Sequence, residues 1–380
     1  MKKITALILS VVLVFAGVKS DIFAYAEDAP SISAKSAVVI SADTGEIVYS
    51  HNAQEKLPMA STTKIMTTLL CIESGNLEEE FVVDSEAIKV EGSSMGLVEG
   101  DIVTKYALCC GMLLPSGNDA ANATAVKLAG SIENFAVMMN ERAEEIGMSK
   151  SFFVTPSGLD GTGHGSTAYD MALLAREALQ NEIFRDICSQ ESIQVKFGNP
   201  PYERWLKNTN KLLTMCEGVY GVKTGFTDEA GRCLVSACER DGKELICVTL
   251  NDKNDWNDHI SLYDYGFSKV NLCEYEITDE ITVSLAGGYQ DKIKLYCEEK
   301  LVICTVGESE RIHHKVKVSP FIYAPISEGE QCGELTIMFE NREIDTIPLF
   351  SAESSDIYVK TKEQKKFPER IMDKVKNIFK

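Results

Sequence analysis

The pattern of this 380-residue chain predicts an α+β (two-lobed α/β) domain, an antiparallel sheet with a helical subdomain, followed by a small all-β domain. Two observations carry the prediction. Strand-like alternation stands at both ends of a helical middle, and near residue 270 the helical patterns give way to short alternating segments. With 44% hydrophobic and 25% charged residues the chain has ordinary globular composition and length for two folded units. Its formal charge of −19 excludes nucleic-acid binding for the body of the protein, because that function needs a cationic surface to displace counterions.

The elements follow in order. Lys2 and Lys3, the uncharged and mostly apolar run Ile4–Val18, and the small residues around Ala24-Tyr25-Ala26 read as a signal peptide over residues 1–26. The run is short for a membrane-spanning helix, so an exported chain starting at Glu27 is expected. From Ala37 apolar and polar residues alternate, and Asp43-Thr44-Gly45 turns the chain into Glu46–Tyr49, a β-hairpin. Ile65, Leu69 and Ile72 share one face of a helix over residues 62–74. Leu108–Ala129 reads as two helical stretches interrupted by Pro115-Ser116-Gly117-Asn118. Ser131 caps a helix through Ile132, Phe135, Met139, Ala143 and Ile146, which Gly147 stops. Arg232–Cys238 and Lys243–Leu250 are strands joined at Asp241-Gly242. Together these make a first domain over residues 30–268.

Alternation in Ile281/Val283/Leu285, Ile293/Leu295, Val316/Val318 and Leu335/Ile337/Phe339 defines the all-β domain, residues 271–355. His313-His314 resembles a metal pair, but neighbours on a strand point to opposite faces, so an exposed basic stretch is expected there. The tail, residues 361–380, is a basic amphipathic segment. From Lys360 it holds eight Lys/Arg against three Asp/Glu, with Phe367, Ile371, Val375, Ile378 and Phe379 on one helical face. That composition suits a helix lying on an anionic membrane surface; docking on the chain's own acidic body is the other possibility. The 12 cysteines are sparse, lack zinc-ligand spacing and often sit in apolar runs, as Cys247 and Cys304 do. Buried free thiols are expected, and no metal or other cofactor is called for.

Nucleophilic catalysis needs a hydroxyl or thiol, a base beside it and an oxyanion site. Ser61-Thr62-Thr63-Lys64 supplies the first two if a helix starts near Ser61, since Lys64 then lies one turn on. A lysine takes a serine proton only when neutral, and burial or a neighbouring cation drives it that way. Alone, Ser-x-x-Lys is common. Here Ser116-Gly117-Asn118 and then Lys223-Thr224-Gly225 follow it, on an interhelical loop and a strand. The set Ser-x-x-Lys, Ser-x-Asn and Lys-Thr-Gly is the mark of class A β-lactamases and penicillin-binding proteins, with Gly117 standing where those often have Asp.

The longer segments Leu57–Thr67, Leu113–Ala121, His164–Asp170 and Gly221–Thr227 resemble the low-molecular-mass penicillin-binding proteins, the serine D-alanyl-D-alanine carboxypeptidases. That resemblance implies a penicillin-binding transpeptidase-type fold for residues 30–268, a β-rich second domain and a C-terminal membrane anchor. It implies that Ser61 attacks the bond between the two terminal D-alanines of a peptidoglycan stem peptide, with Lys64 as base. Ser116 would relay a proton to the leaving amine, and Asn118 would hold the peptide amide. Lys223 would supply positive potential and, with Thr224, meet the substrate carboxylate. Gly225 would let substrate lie against the strand, and the backbone N–H groups of Ser61 and Phe226 would form the oxyanion hole. β-Lactam antibiotics would acylate Ser61. The expected location is the outer face of the cytoplasmic membrane.

One departure stands out. Some relatives carry an arginine shortly before the Tyr265-Gly266-Phe267 segment that helps bind the terminal carboxylate, and Asn254–Asp258 holds none. Three other motifs read as structural. Gly92-Ser93-Ser94-Met95-Gly96 resembles a hydrolase elbow but runs into a turn. Glu177 and Asn181 have the spacing of a deacylating carboxylate but read as solvated helix residues, and His164 reads as structural because Ser61 already has a base. The competing functions are a β-lactamase, an endopeptidase cutting D-Ala crosslinks, and a non-catalytic penicillin-binding scaffold.

Overall fold

Six consecutive buried residues, Ser36–Ser41, make β1 a strand covered on both faces. The computed structural model describes residues 29–297, 301–307 and 309–359. The expected signal peptide and the expected C-terminal helix lie outside them. β1 pairs with β2 (Ile47–His51) on one side and, through the later strands β7 (Val219–Thr227), β8 (Gly231–Arg240) and β9 (Lys243–Leu250), completes a five-stranded antiparallel sheet in the order β2-β1-β9-β8-β7. The β8–β9 turn has Asp241 and Gly242 both at positive φ, 51° and 73°, as a tight hairpin turn requires.

Alternation along the strands sorts their side chains between two layers. Val38, Ile40, Ile246, Val248 and Leu250 join a large core with the helical subdomain. Val39 and Leu245 face the other way, where α8 (Asp255–Lys269) packs so closely that a Cβ on Gly266 would come within 2.9 Å of Leu245. A buried polar set ties this helix down. The His259 ring lies 2.7 Å from Ser236 Oγ and 3.1 Å from Thr249 Oγ1, and Tyr263 Oη lies 2.6 Å from Ser236 Oγ.

The helices between β2 and β7 are α1 (Lys64–Glu73), α2 (Lys105–Leu113), α3 (Asn118–Ala129), α4 (Ile132–Ile146), α5 (Ala168–Leu179), α6 (Glu182–Ser189) and the one-turn α7 (Leu212–Met215). Thr104, Ser131, Thr167 and Asn181 cap α2, α4, α5 and α6, each accepting first-turn backbone N–H bonds that would otherwise be orphaned. A second sheet, β3 (Glu80–Val82), β4 (Ile102–Thr104), β5 (Ser192–Gly198) and β6 (Pro201–Lys207), accompanies the helices; the sequence reading left it unseen.

The chain divides into two units, the second beginning at Leu272. Near its start β10 (Asn271–Tyr275) pairs with β13 (Leu301–Thr305). A six-stranded sheet adds β11 (Ile281–Ala286), β12 (Lys292–Tyr296), β14 (Ile312–Val318), β15 (Phe321–Tyr323), β16 (Gln331–Phe339) and β17 (Arg342–Ser351) in the order β14-β16-β17-β12-β11-β15. Its core is the inward set Val283, Leu285, Ile293, Leu335, Ile337 and Leu349 with their neighbours. His313 is exposed as expected; His314 is not, since its Nδ1 lies 2.8 Å from Tyr275 Oη and its ring is largely covered. All 12 cysteines are free, and nine are buried.

Candidate active site

Ser61 does not open an α-helix. It sits in a short 3₁₀ turn, Ala60–Thr63, and α1 begins at Lys64. The tight turn is held by side chains that copy backbone bonds: Thr62 Oγ1 donates to Met59 O at 2.6 Å and Thr63 Oγ1 to Ala60 O at 2.8 Å. His164 completes the clamp. Its Nδ1 accepts the Val154 N–H at 3.0 Å, so its Nε2–H donates to Thr63 Oγ1, also 3.0 Å away. Burial pushes the His164 pKa down to about 4, so the ring stays neutral and serves structure.

Lys64 is fully buried beneath Ser61. Its Nζ lies 2.8 Å from Ser61 Oγ and 2.7 Å from each of Asn118 Oδ1 and Ser157 O. A neutral amine has two N–H donors and one lone pair. Two pure acceptors take the hydrogens, so the lone pair is left for the Ser61 hydroxyl. Burial, reinforced by the cation of Lys223, holds the Lys64 pKa well below the usual lysine value.

The structure brings Asn118 into contact with the base rather than with the open cleft. It is 4% exposed; Oδ1 accepts from Lys64, while Nδ2 donates to Glu91 O at 2.7 Å. Lys223 is likewise internal, 1% exposed, with Nζ donating to Thr224 O at 2.9 Å, and burial lowers its pKa to about 7. Gly225 lines the cleft and also meets a packing requirement inside the protein. A Cβ there would lie 3.0 Å from Ser61 N and 3.1 Å from Met59 O, so glycine lets β7 run directly against the nucleophile's turn.

Gly117 answers the departure from Ser-Asp-Asn. A Cβ at this position would meet Asp119 Oδ1 at 2.6 Å and Met95 N at 2.9 Å, so a larger residue would force the Asp119 carboxylate or the Met95 backbone to move. Asp119 is the reason for that crowding. Its carboxylate accepts the backbone N–H groups of Met95, Gly96 and Leu97 and the Ser94 hydroxyl, at 2.6–3.0 Å. The elbow-like Gly92–Gly96 segment is therefore a loop pinned over α3, as expected, and Ser93 O accepts the Asn118 N–H at 2.7 Å. Ser116, the relay candidate, sits at φ +66°, a left-handed conformation costing about 1–3 kcal/mol that its neighbours must impose.

Ser61 and Ser116 open onto one cleft of about 340 Å³, with Thr224, Gly225 and Phe226 along its strand side. Thr209, whose hydroxyl lies 2.7 Å from Thr224 Oγ1, joins them, as do Ser93 and Lys211. Arg232, Asp255 and Trp256 complete the wall. Sequence reasoning missed Arg232, although the hairpin pairs it directly with Phe226, which was a usable signal. It also missed Ser157, which contributes a carbonyl that no side-chain pattern marks. Glu177 and Asn181 stand apart from the cleft lining. Glu177 is a partly exposed residue of α5 that accepts from Arg142 at 2.6 Å, and Asn181 lies just beyond that helix, where it caps α6.

Comparison with known proteins shows the family of the chain. The D-alanyl-D-alanine carboxypeptidase family, peptidase S11, matches residues 24–254, and the penicillin-binding protein 5 C-terminal domain matches residues 275–356. D-alanyl-D-alanine carboxypeptidase DacF of Bacillus subtilis is 32% identical, over 84% of this chain and 85% of its own length. Among solved structures, the D-alanyl-D-alanine carboxypeptidase DacD of Francisella tularensis superposes with a TM-score of 0.61 at 26% identity, covering 87% of this chain and 95% of that one. The Streptomyces K15 DD-transpeptidase gives 0.61 at 30% identity, over 64% of this chain and all of its own.

Proposed function

The chain belongs to the D-alanyl-D-alanine carboxypeptidase family, a serine-type penicillin-binding protein of peptidoglycan metabolism, and from that premise we propose how its residues divide the reaction. Ser61 is the nucleophile. Its proton passes to the neutral amine of Lys64 as Oγ adds to the carbonyl of the penultimate D-alanine. The backbone N–H groups of Ser61 and Phe226 hold the developing oxyanion. Ser116 relays the proton to the departing amine, D-alanine leaves, and an ester remains on Ser61. Water then attacks that ester, returning the serine and a stem peptide shorter by one residue. β-Lactams enter the same first half and stop at the ester.

The observation that carries this reading is the set of three partners around Lys64 Nζ, which leaves its lone pair for Ser61. Asn118 supports catalysis from behind by orienting that amine. Lys223 supplies potential from beneath β7 rather than by direct contact. β7 is an edge strand, so a substrate peptide can add to it as a further strand, with Gly225 keeping strand and nucleophile together.

A β-lactamase would need a carboxylate to activate water at the ester. Among the described residues lining the cleft the only carboxylate is Asp255, and it is bound to Arg232. We further infer that the protein is exported and held at the outer face of the cytoplasmic membrane by residues 361–380, a reading supported by their basic amphipathic sequence.

The test is D-alanine release from a peptide ending in D-Ala-D-Ala. Release that disappears in Ser61→Ala is expected. Release that persists in that variant, or none from the folded wild type, overturns the assignment.

A further inference from the structure

One cation on the cleft wall has no part in the chemistry above. Arg232 is the second residue of β8, opposite Phe226, one residue past Gly225, which touches the Ser61 turn. Its guanidinium is fixed from behind. Nε donates to Asp255 Oδ1 at 3.0 Å and Nη2 to Asp255 Oδ2 at 2.9 Å. The Trp256 ring centroid lies 5.3 Å from its central carbon. Asp255 is itself held, since Oδ1 also accepts the Trp256 N–H at 3.0 Å. The two side chains differ sharply in exposure: 4% for Asp255 against 43% for Arg232. One edge of the guanidinium is thus spent on a buried carboxylate, and the Nη1 side is left to the cleft.

We propose that Arg232, positioned by Asp255 and Trp256, recognises the free C-terminal carboxylate of the substrate. The inference rests on the carboxypeptidase reading above and deepens it. Four observations favour Arg232 for this task. Lys223 is buried and occupied with Thr224 O, so it cannot offer a bidentate contact at the surface. Asn254–Asp258 contributes no cation of its own; it contributes instead the acid and the ring that fix Arg232. A planar guanidinium held rigid at its rear is preorganised for a carboxylate in front, which lowers the entropy lost on binding. On a chain of net charge −19, an anionic peptide also needs a fixed local cation at the site. Lys211 lines the same cleft but is exposed on a flexible stem, which makes it the control.

The experiment compares kcat/KM for one N-acylated peptide ending in D-Ala-D-Ala with that for its C-terminal amide, reading release of D-alanine or D-alaninamide. Wild type should prefer the acid by on the order of 100-fold. Arg232→Gln should remove most of that preference by slowing the acid while leaving the amide nearly unchanged. Arg232→Lys should keep part of it, and Lys211→Gln should keep all of it. Because Arg232→Gln strands Asp255, the double variant Arg232→Gln/Asp255→Asn is measured beside it and should show the same loss. Benzylpenicillin acylation, which also presents a carboxylate, should slow in parallel. Equal loss for acid and amide, full preference retained without Arg232, collapse in Lys211→Gln, or no preference in wild type would each overturn the proposal with the carboxypeptidase reading intact. A wild type that processes neither peptide would remove the reading itself.

Discussion

A lysine can take a proton from serine only as the neutral amine, and the surroundings of Lys64 work toward that form: burial, the neighbouring Lys223, and two carbonyl acceptors that fix its hydrogens. The pH dependence follows by sign. Lys64 must be unprotonated, so acylation is lost as pH falls and it regains its proton. Lys223 must be charged, so acylation falls as pH rises past about 7, where burial has placed its pKa. Second-order acylation by benzylpenicillin should therefore trace a bell, and Lys223→Arg should carry the alkaline limb upward, because guanidinium stays charged. An alkaline limb unmoved by that change would show that Lys223 is not the titrating cation. Lys64→Gln should cost roughly 10²–10⁴-fold in the same measurement. At this scale much of the site was legible in the sequence, since Ser61 and Lys64 are neighbours on one turn. Less legible were contacts made by folding. The union of Arg232 with Asp255 depends on how the segment after β9 returns to the hairpin, and no periodicity records that. Asn118 and Lys223 were read by residue type, while their burial was set by what packs over them.

Close approaches between elements decide which residues this site tolerates. Gly117 lies between the Asp119 carboxylate and the Met95 backbone, so Gly117→Ala should displace the pinned loop. A fall of about ten-fold or more in acylation, with urea stability lowered by about 1–3 kcal/mol, is the expected result. Unchanged acylation would mean the loop does not position Asn118. The contact between α8 and the sheet makes a separate prediction. Burial pushes the His259 pKa down to about 3, so the unfolded chain takes up a proton below about 6.5 that the folded chain refuses. This histidine's contribution is complete above pH 6.5 and is lost between there and about 3, at up to about 1.4 kcal/mol per pH unit. Urea midpoints measured from pH 7 to 4 should fall less steeply in His259→Asn; identical slopes would contradict the assignment. The strands and caps around these contacts were readable because alternation and capping are local. The β5–β6 hairpin was not, since few of its residues are buried and its sheet partner β4 is three residues long.

The whole molecule joins an α+β catalytic unit to an all-β unit and, by its sequence, to a basic tail. The change of hydropathy period near residue 270 made the two units visible without a structure, because a sheet buried on one face imposes period two. Deleting residues 361–380 from the mature chain should leave D-alanine release unchanged and abolish co-sedimentation with anionic vesicles. Retained vesicle binding would assign membrane contact elsewhere. The central claim is covalent catalysis at Ser61, and the most direct measurement is peptide mapping by mass spectrometry after brief exposure to benzylpenicillin. One penicilloyl group on the peptide containing Ser61, absent from Ser61→Ala, is the predicted result. An adduct on any other residue, or one that survives in Ser61→Ala, would contradict it.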